Sequence, residues 1–144
     1  MEHNRLGVKM VALAGKRIFV IEDNPENRII TQITLGGKGA FLNFDYYGRN
    51  VVSKLRAFQP VDLIILDLML SLGSSGFNVI TEIRATEEFK ETPIVAVSAS
   101  DPSSAIPLCR QHGFDGFIAK PITDDFPNQI KQIIEGESIW DTGN

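Results

Sequence analysis

A single cysteine, Cys109, stands among 144 residues, so no disulfide can close within the chain and no thiolate cluster can hold a metal. Histidine is almost as scarce: His3 and His112 have no ligand-pair spacing, and a structural zinc site is not expected. No apolar run approaches the roughly 20 residues that span a bilayer. The N-terminal MEHNRLGVKMVALAGKR is interrupted by Lys9 and lacks a signal-peptide core. Membrane insertion is therefore not expected, and a cytoplasmic location is. A basic excess is missing too, since 14 Lys and Arg stand against 18 Asp and Glu and are scattered, which argues against direct nucleic acid binding. What remains is a chain that is 43% hydrophobic, of a length that suits one globular domain around one core.

Five short runs rich in β-branched or bulky apolar residues predict strands: RIFVI (17–21), FLNFDYY (41–47), DLIIL (62–66), PIVAVS (93–98) and GFIA (116–119). The first, third and fourth are continuously apolar, as strands covered on both faces must be. The second is partly polar and suits an edge. Helical patterns or signals lie between them at about 25–35, 50–58, 76–88, 103–112 and 123–135, with Gly36, Gly37 and Gly113 as stops. Five alternations of strand and helix predict an α/β domain with a parallel sheet. Pro102 and Pro107 predict that the fourth helix is short or starts late. Residues 1–15 and 137–144 read as an N-terminal extension and a C-terminal tail around a domain at 16–136. The sequence leaves open whether Trp140 packs on the domain.

One residue conflicts with this pattern. Asp67 sits within PVDLIILDLML (60–70), where burying a lone carboxylate costs several kcal/mol unless the strand ends there or the acid has a partner. In an open parallel sheet, ligands bind outside the carboxyl ends of the strands, so the residues just past each strand are the informative ones. They are Glu22 and Asp23 after the first, Asp67 after the third, Ser98 at the end of the fourth and Lys120 after the fifth. Each alone is an ordinary turn or cap residue; together they converge on one rim. Three carboxylates there repel one another unless a cation intervenes, and hard oxygen ligands suit Mg²⁺. A hydroxyl and an ammonium facing them suit a phosphoryl group. An aspartate can accept such a group as an acyl phosphate, and Asp67, ending a central strand, is the best placed of the three.

These residues carry a family resemblance. VIEDN (20–24), LIILDLM (63–69), IVAVSAS (94–100) and FIAKPI (117–122) resemble, in order and spacing, the four motifs of two-component response regulator receiver domains. The resemblance implies a flavodoxin-like (βα)5 doubly wound parallel five-stranded sheet of order 2-1-3-4-5. It implies that Asp67 is phosphorylated by a histidine kinase or a histidine phosphotransfer protein. Asp23, Asp67 and the backbone carbonyl of Met69 would bind Mg²⁺, Glu22 would hold a metal-bound water, and Ser98 and Lys120 would contact the phosphoryl oxygens. The Lys120-Pro121 bond would be cis, and the small Ala99 would leave room for the incoming donor or water. Phe117 takes the place of the family's aromatic switch, acting with Ser98, although a core aromatic is an equal reading of it.

The chain departs from the family in one loop. Ser71 stands where proline is common, and SLGSSG reaches Gly76 nine residues after Asp67, one more than usual, which predicts a freer loop beside the site. LGGKGA (35–40) lacks the spacing of a phosphate loop and reads as a helix stop. The expected function is a stand-alone receiver, not an enzyme acting on external substrates. It would signal through a downstream protein target, with its oligomeric state undetermined. A phosphorylation-independent interaction module and a small aspartate-nucleophile phosphatase are the alternatives.

Overall fold

The computed structural model describes residues 12–70 and 75–143. Its strands are β1 (Arg17–Ile21), β2 (Phe41–Asp45), β3 (Leu63–Leu66), β4 (Ile94–Ser98), β5 (Gly116–Ala119) and β6 (Ile139–Asp141). Its helices are α1 (Pro25–Thr31), α2 (Val51–Ala57), α3 (Gly76–Arg84), α4 (Pro102–Gln111) and α5 (Phe126–Ile134). A π-helical turn, Gln32–Gly36, continues α1, and a 3-10 turn, Glu87–Phe89, follows α3. All pairings are parallel, in the order β2-β1-β3-β4-β5-β6. The flavodoxin-like order 2-1-3-4-5 is thus present and is extended by a sixth strand.

Burial follows the sequence pattern, since β1, β3 and β4 are buried almost throughout while β2, the first strand of the described sheet, is partly exposed. Successive side chains of a strand point to opposite faces, which splits the core in two. On one face Phe19, Ile21, Ile64, Leu66, Ala96 and Phe117 pack against α2, α3 and α4. On the other, Ile18, Val20, Ile65, Val97 and Ile118 pack against Leu35 and the apolar side of α5. Among the described residues no helix is long and apolar enough to cross a membrane.

Three expectations are corrected. The fourth helix neither starts late nor is short: α4 runs ten residues from Pro102. Pro102 stands at the first helical position, where a missing N–H goes unused, and the Asp101 carboxylate accepts from the Ser103 N–H at 3.1 Å and its hydroxyl at 2.9 Å. Pro107 lies in the helix on its exposed side and has no N–H to donate to the Ser103 carbonyl. Secondly, the residues after 136 are not simply a tail, because Gly136, at φ +100°, turns the chain back and Ile139–Asp141 pair with β5. Trp140 packs on the domain, with the Arg110 guanidinium 4.1 Å from its ring centroid. Thirdly, the core begins before residue 16: Leu13 is buried in the same core cluster as Val20 and Leu35, and its N–H bonds the Lys38 carbonyl at 2.9 Å. The freer loop expected over 71–76 falls, for residues 71–74, outside the described residues.

Candidate functional site

Parallel pairing puts every strand's carboxyl end on one rim. The register Ile21↔Leu66 makes Glu22 and Asp67 neighbours just past β1 and β3, and the register Ser98↔Ala119 does the same for Ser98 and Lys120. β3 ends at Leu66, so Asp67 is the first residue beyond it, with its N–H bonded to the Ile21 carbonyl at 3.1 Å. The chain then alternates: Leu68 and Leu70 turn into the core while the Met69 side chain is exposed. The Met69 N–H donates to Asp67 Oδ1 at 3.0 Å, which fixes the carboxylate from below.

Asp67 has company. Lys120 Nζ donates to Asp67 Oδ2 at 2.9 Å and to Glu22 Oε1 at 2.6 Å, bridging two carboxylates that are each nearly buried. A carboxylate oxygen of Glu22, one of Asp23 and one of Asp67 all lie within 4.8 Å of one another. Burial raises the Glu22 pKa, and the Asp67 charge adds to that; the Lys120 ammonium only partly opposes them. For Lys120, burial works to lower the pKa, but the two carboxylates outweigh it and the net shift is upward. The group therefore stays an ammonium. Oxygen donors this close, with one of them pushed toward protonation, favour a further positive charge among them.

Ser98 is fully buried, and its hydroxyl pairs with that of Ser100 at 3.0 Å. Its carbonyl accepts from the Lys120 N–H at 2.9 Å, so Ser98 is joined to the lysine through the backbone. Phe117 is fully buried against the face that α4 covers. The Lys120-Pro121 bond is cis, as expected, and so is Gln59-Pro60, which no sequence feature flagged. A cavity of about 320 Å³ is lined by Ala99, Lys120 and Ile122, by Asn27, Ile30 and Thr31 of α1, and by Glu22 and Asp67.

Two residues support the site in ways the sequence did not show, Arg28 unread there and Gly76 read only as the end of a loop. Arg28 of α1 donates to the carbonyls of Glu22 and Asp23 at 3.1 and 2.8 Å, holding the acidic turn while its guanidinium lies 3.9 Å from the Tyr46 ring centroid. Only its position one turn into the helix after the acids could have signalled this. Gly76 opens α3 against the backbone of Asp67 and Leu68, its N–H bonded to the Leu68 carbonyl at 3.1 Å. A Cβ there would meet the Asp67 carbonyl oxygen at 2.7 Å, so the site requires a residue without one.

Residues 18–135 match the family described as response regulator receiver domain. Hybrid signal transduction histidine kinase D of Dictyostelium discoideum is 33% identical over 110 residues, covering 75% of this chain and 7% of that protein. The peroxide stress-activated histidine kinase mak1 of Schizosaccharomyces pombe is 30% identical over 118 residues, 78% of this chain and 7% of that protein. The chain thus spans under a tenth of the length of these curated relatives. Among solved structures, the receiver domain of a Pseudomonas aeruginosa sensor histidine kinase superposes with a TM-score of 0.72 at 28% identity, covering 85% of this chain and all of that one. That crystal has a magnesium ion coordinated in its active site cleft. A Vibrio cholerae chemotaxis protein, CheY4, shares the fold with a TM-score of 0.75 at 21% identity, over 84% of this chain and 99% of that one.

Proposed function

Because the chain belongs to the response regulator receiver domain family, we propose that Asp67 accepts a phosphoryl group from a phosphohistidine in a phosphorelay. The donor is a histidine kinase or a histidine phosphotransfer protein, and the loaded domain signals by altered contacts with a downstream protein. The observation that carries this reading is the Lys120 ammonium bridging Glu22 and Asp67 at the rim. In the transfer, an Asp67 carboxylate oxygen bonds to phosphorus as the donor's P–N bond breaks, and that electron pair returns to the imidazole. The product is an acyl phosphate on Asp67.

Each neighbour then has a role in this reading. Lys120 offsets the charge on a phosphoryl oxygen. The Ser98 hydroxyl, now paired with Ser100, turns to donate to another. Its movement frees space that Phe117 follows, which makes Phe117 a switch as well as a core residue. Three carboxylates within 4.8 Å of one another fit Mg²⁺: Asp23, Asp67 and the Met69 carbonyl would hold it, and Glu22 would hold one of its waters. When bound, it supplies positive charge against the incoming phosphoryl oxygens.

Incubation with Mg²⁺ and a small phosphodonor, followed by intact mass, tests the reading. A gain of one phosphoryl group that disappears in Asp67→Asn supports it. No gain with any donor supports the phosphorylation-independent module, and steady turnover of unrelated phosphoesters supports the phosphatase.

A further inference from the structure

Resting on that reading, we propose that residues 137–143 form a releasable strap. β6 is seated on the edge of β5 while Lys120 is paired with Glu22 and Asp67, and phosphorylation of Asp67 releases it.

The seat is specific. At Gly116 a Cβ would meet the Ile139 carbonyl oxygen at 2.5 Å, so β6 lies where only glycine permits it. From α4, Arg110 stacks on Trp140; from α5, the Gln129 side-chain amide donates to Asp141 Oδ2 at 2.8 Å. Three successive elements, α4, β5 and α5, thus shape one site for one short segment.

The seat is also weak. β6 has only three residues, each half-buried, and residues 137 and 138 before it are exposed. Gln129 is 7% exposed and reaches β6 through that one amide bond, and among the described residues its Oε1 has no hydrogen-bond partner.

β5 joins this seat to the site. Phe117, the register partner of Trp140, precedes Lys120 by three residues, and the Lys120 N–H is tied to the Ser98 carbonyl. A phosphoryl group on Asp67 draws the Lys120 ammonium and the Ser98 hydroxyl toward itself, which shifts the end of a four-residue strand. Of the two neighbours of β5, β4 is buried throughout and β6 is the half-exposed one. The shift is therefore taken up at β6.

Trp140 is the only tryptophan in the chain, so its emission reports the seat. The full chain is treated with Mg²⁺ and acetyl phosphate; intact mass measures the adduct, and hydrogen exchange follows the amides of 139–141. Emission moves to longer wavelength and exchange in 139–141 quickens by about tenfold or more as the adduct forms. Gly116→Ala, whose Cβ denies Ile139 its place, has the shifted emission before any donor is added. A complete adduct with unchanged emission and exchange overturns the strap and leaves the phosphoacceptor reading standing. Absence of an adduct with acetyl phosphate and with every other phosphodonor overturns that reading, and the strap with it.

Discussion

At the scale of the residue, Glu22 concentrates the electrostatic conflict of the site. Burial raises its pKa above the ordinary 4.5, and the ion pair with Lys120 does not reverse this. A carboxyl whose folded pKa is raised contributes stability that is fully present below the unfolded value and lost as pH climbs through the folded one. Wherever Glu22 is ionised it is therefore a net burden on the metal-free fold. Relative to Glu22→Gln, the native chain loses stability as the pH goes from 4.5 toward neutrality. Urea denaturation of both in metal-free buffer measures this, and an advantage of the native chain that grows with pH would contradict it. Lys120 is also shifted upward, from 10.5, so its contribution is lost only as pH rises past that range and does not enter this window.

At the scale of the element, the start of α3 matters as much as the ends of the strands. The Ser75 side chain caps α3, and Gly76 sets it directly against the backbone on either side of the Asp67 carbonyl. In Gly76→Ala the new methyl meets the Asp67 carbonyl oxygen at 2.7 Å and Leu68 Cα at 2.8 Å, both backbone atoms that cannot swing aside. The substitution destabilises the fold by about 1–3 kcal/mol, as overpacking does, and slows loading of Asp67. The urea midpoint and the adduct rate measure the two effects; a variant unchanged in both would show that the contact is slack.

The strands and their acids were legible in the sequence because a parallel sheet sends every carboxyl end to one rim, so Glu22, Asp67, Ser98 and Lys120 could be gathered by topology alone. Gly76 was legible only as a loop end, since the backbone it touches lies nine residues back. Ile139–Asp141 was too short for periodicity to mark as a strand, and Leu13 sits in a short apolar run, VALA, that shows no strand or helix period although Leu13 joins the core cluster of Val20 and Leu35. Pro107 marked a helix break that an exposed helix face absorbs.

At the scale of the whole molecule, the acidic rim and the fold are linked. A ligand that binds only the folded chain stabilises it by mass action, so Mg²⁺ at ten times its Kd adds about 1.4 kcal/mol. Asp23→Asn loses most of that gain, as unfolding with Mg²⁺ and with a chelator will show. Equal midpoints in the two buffers for the native chain would count against a cation site. The central claim is narrower: one carboxylate, that of Asp67, takes the phosphoryl group. An acyl phosphate is reduced by borohydride to an alcohol, so trapping the loaded chain and mapping its peptides reads the acceptor directly. The account predicts homoserine at position 67 alone; a reduced residue at Glu22 or Asp23 instead, with Asp67 intact, would contradict it.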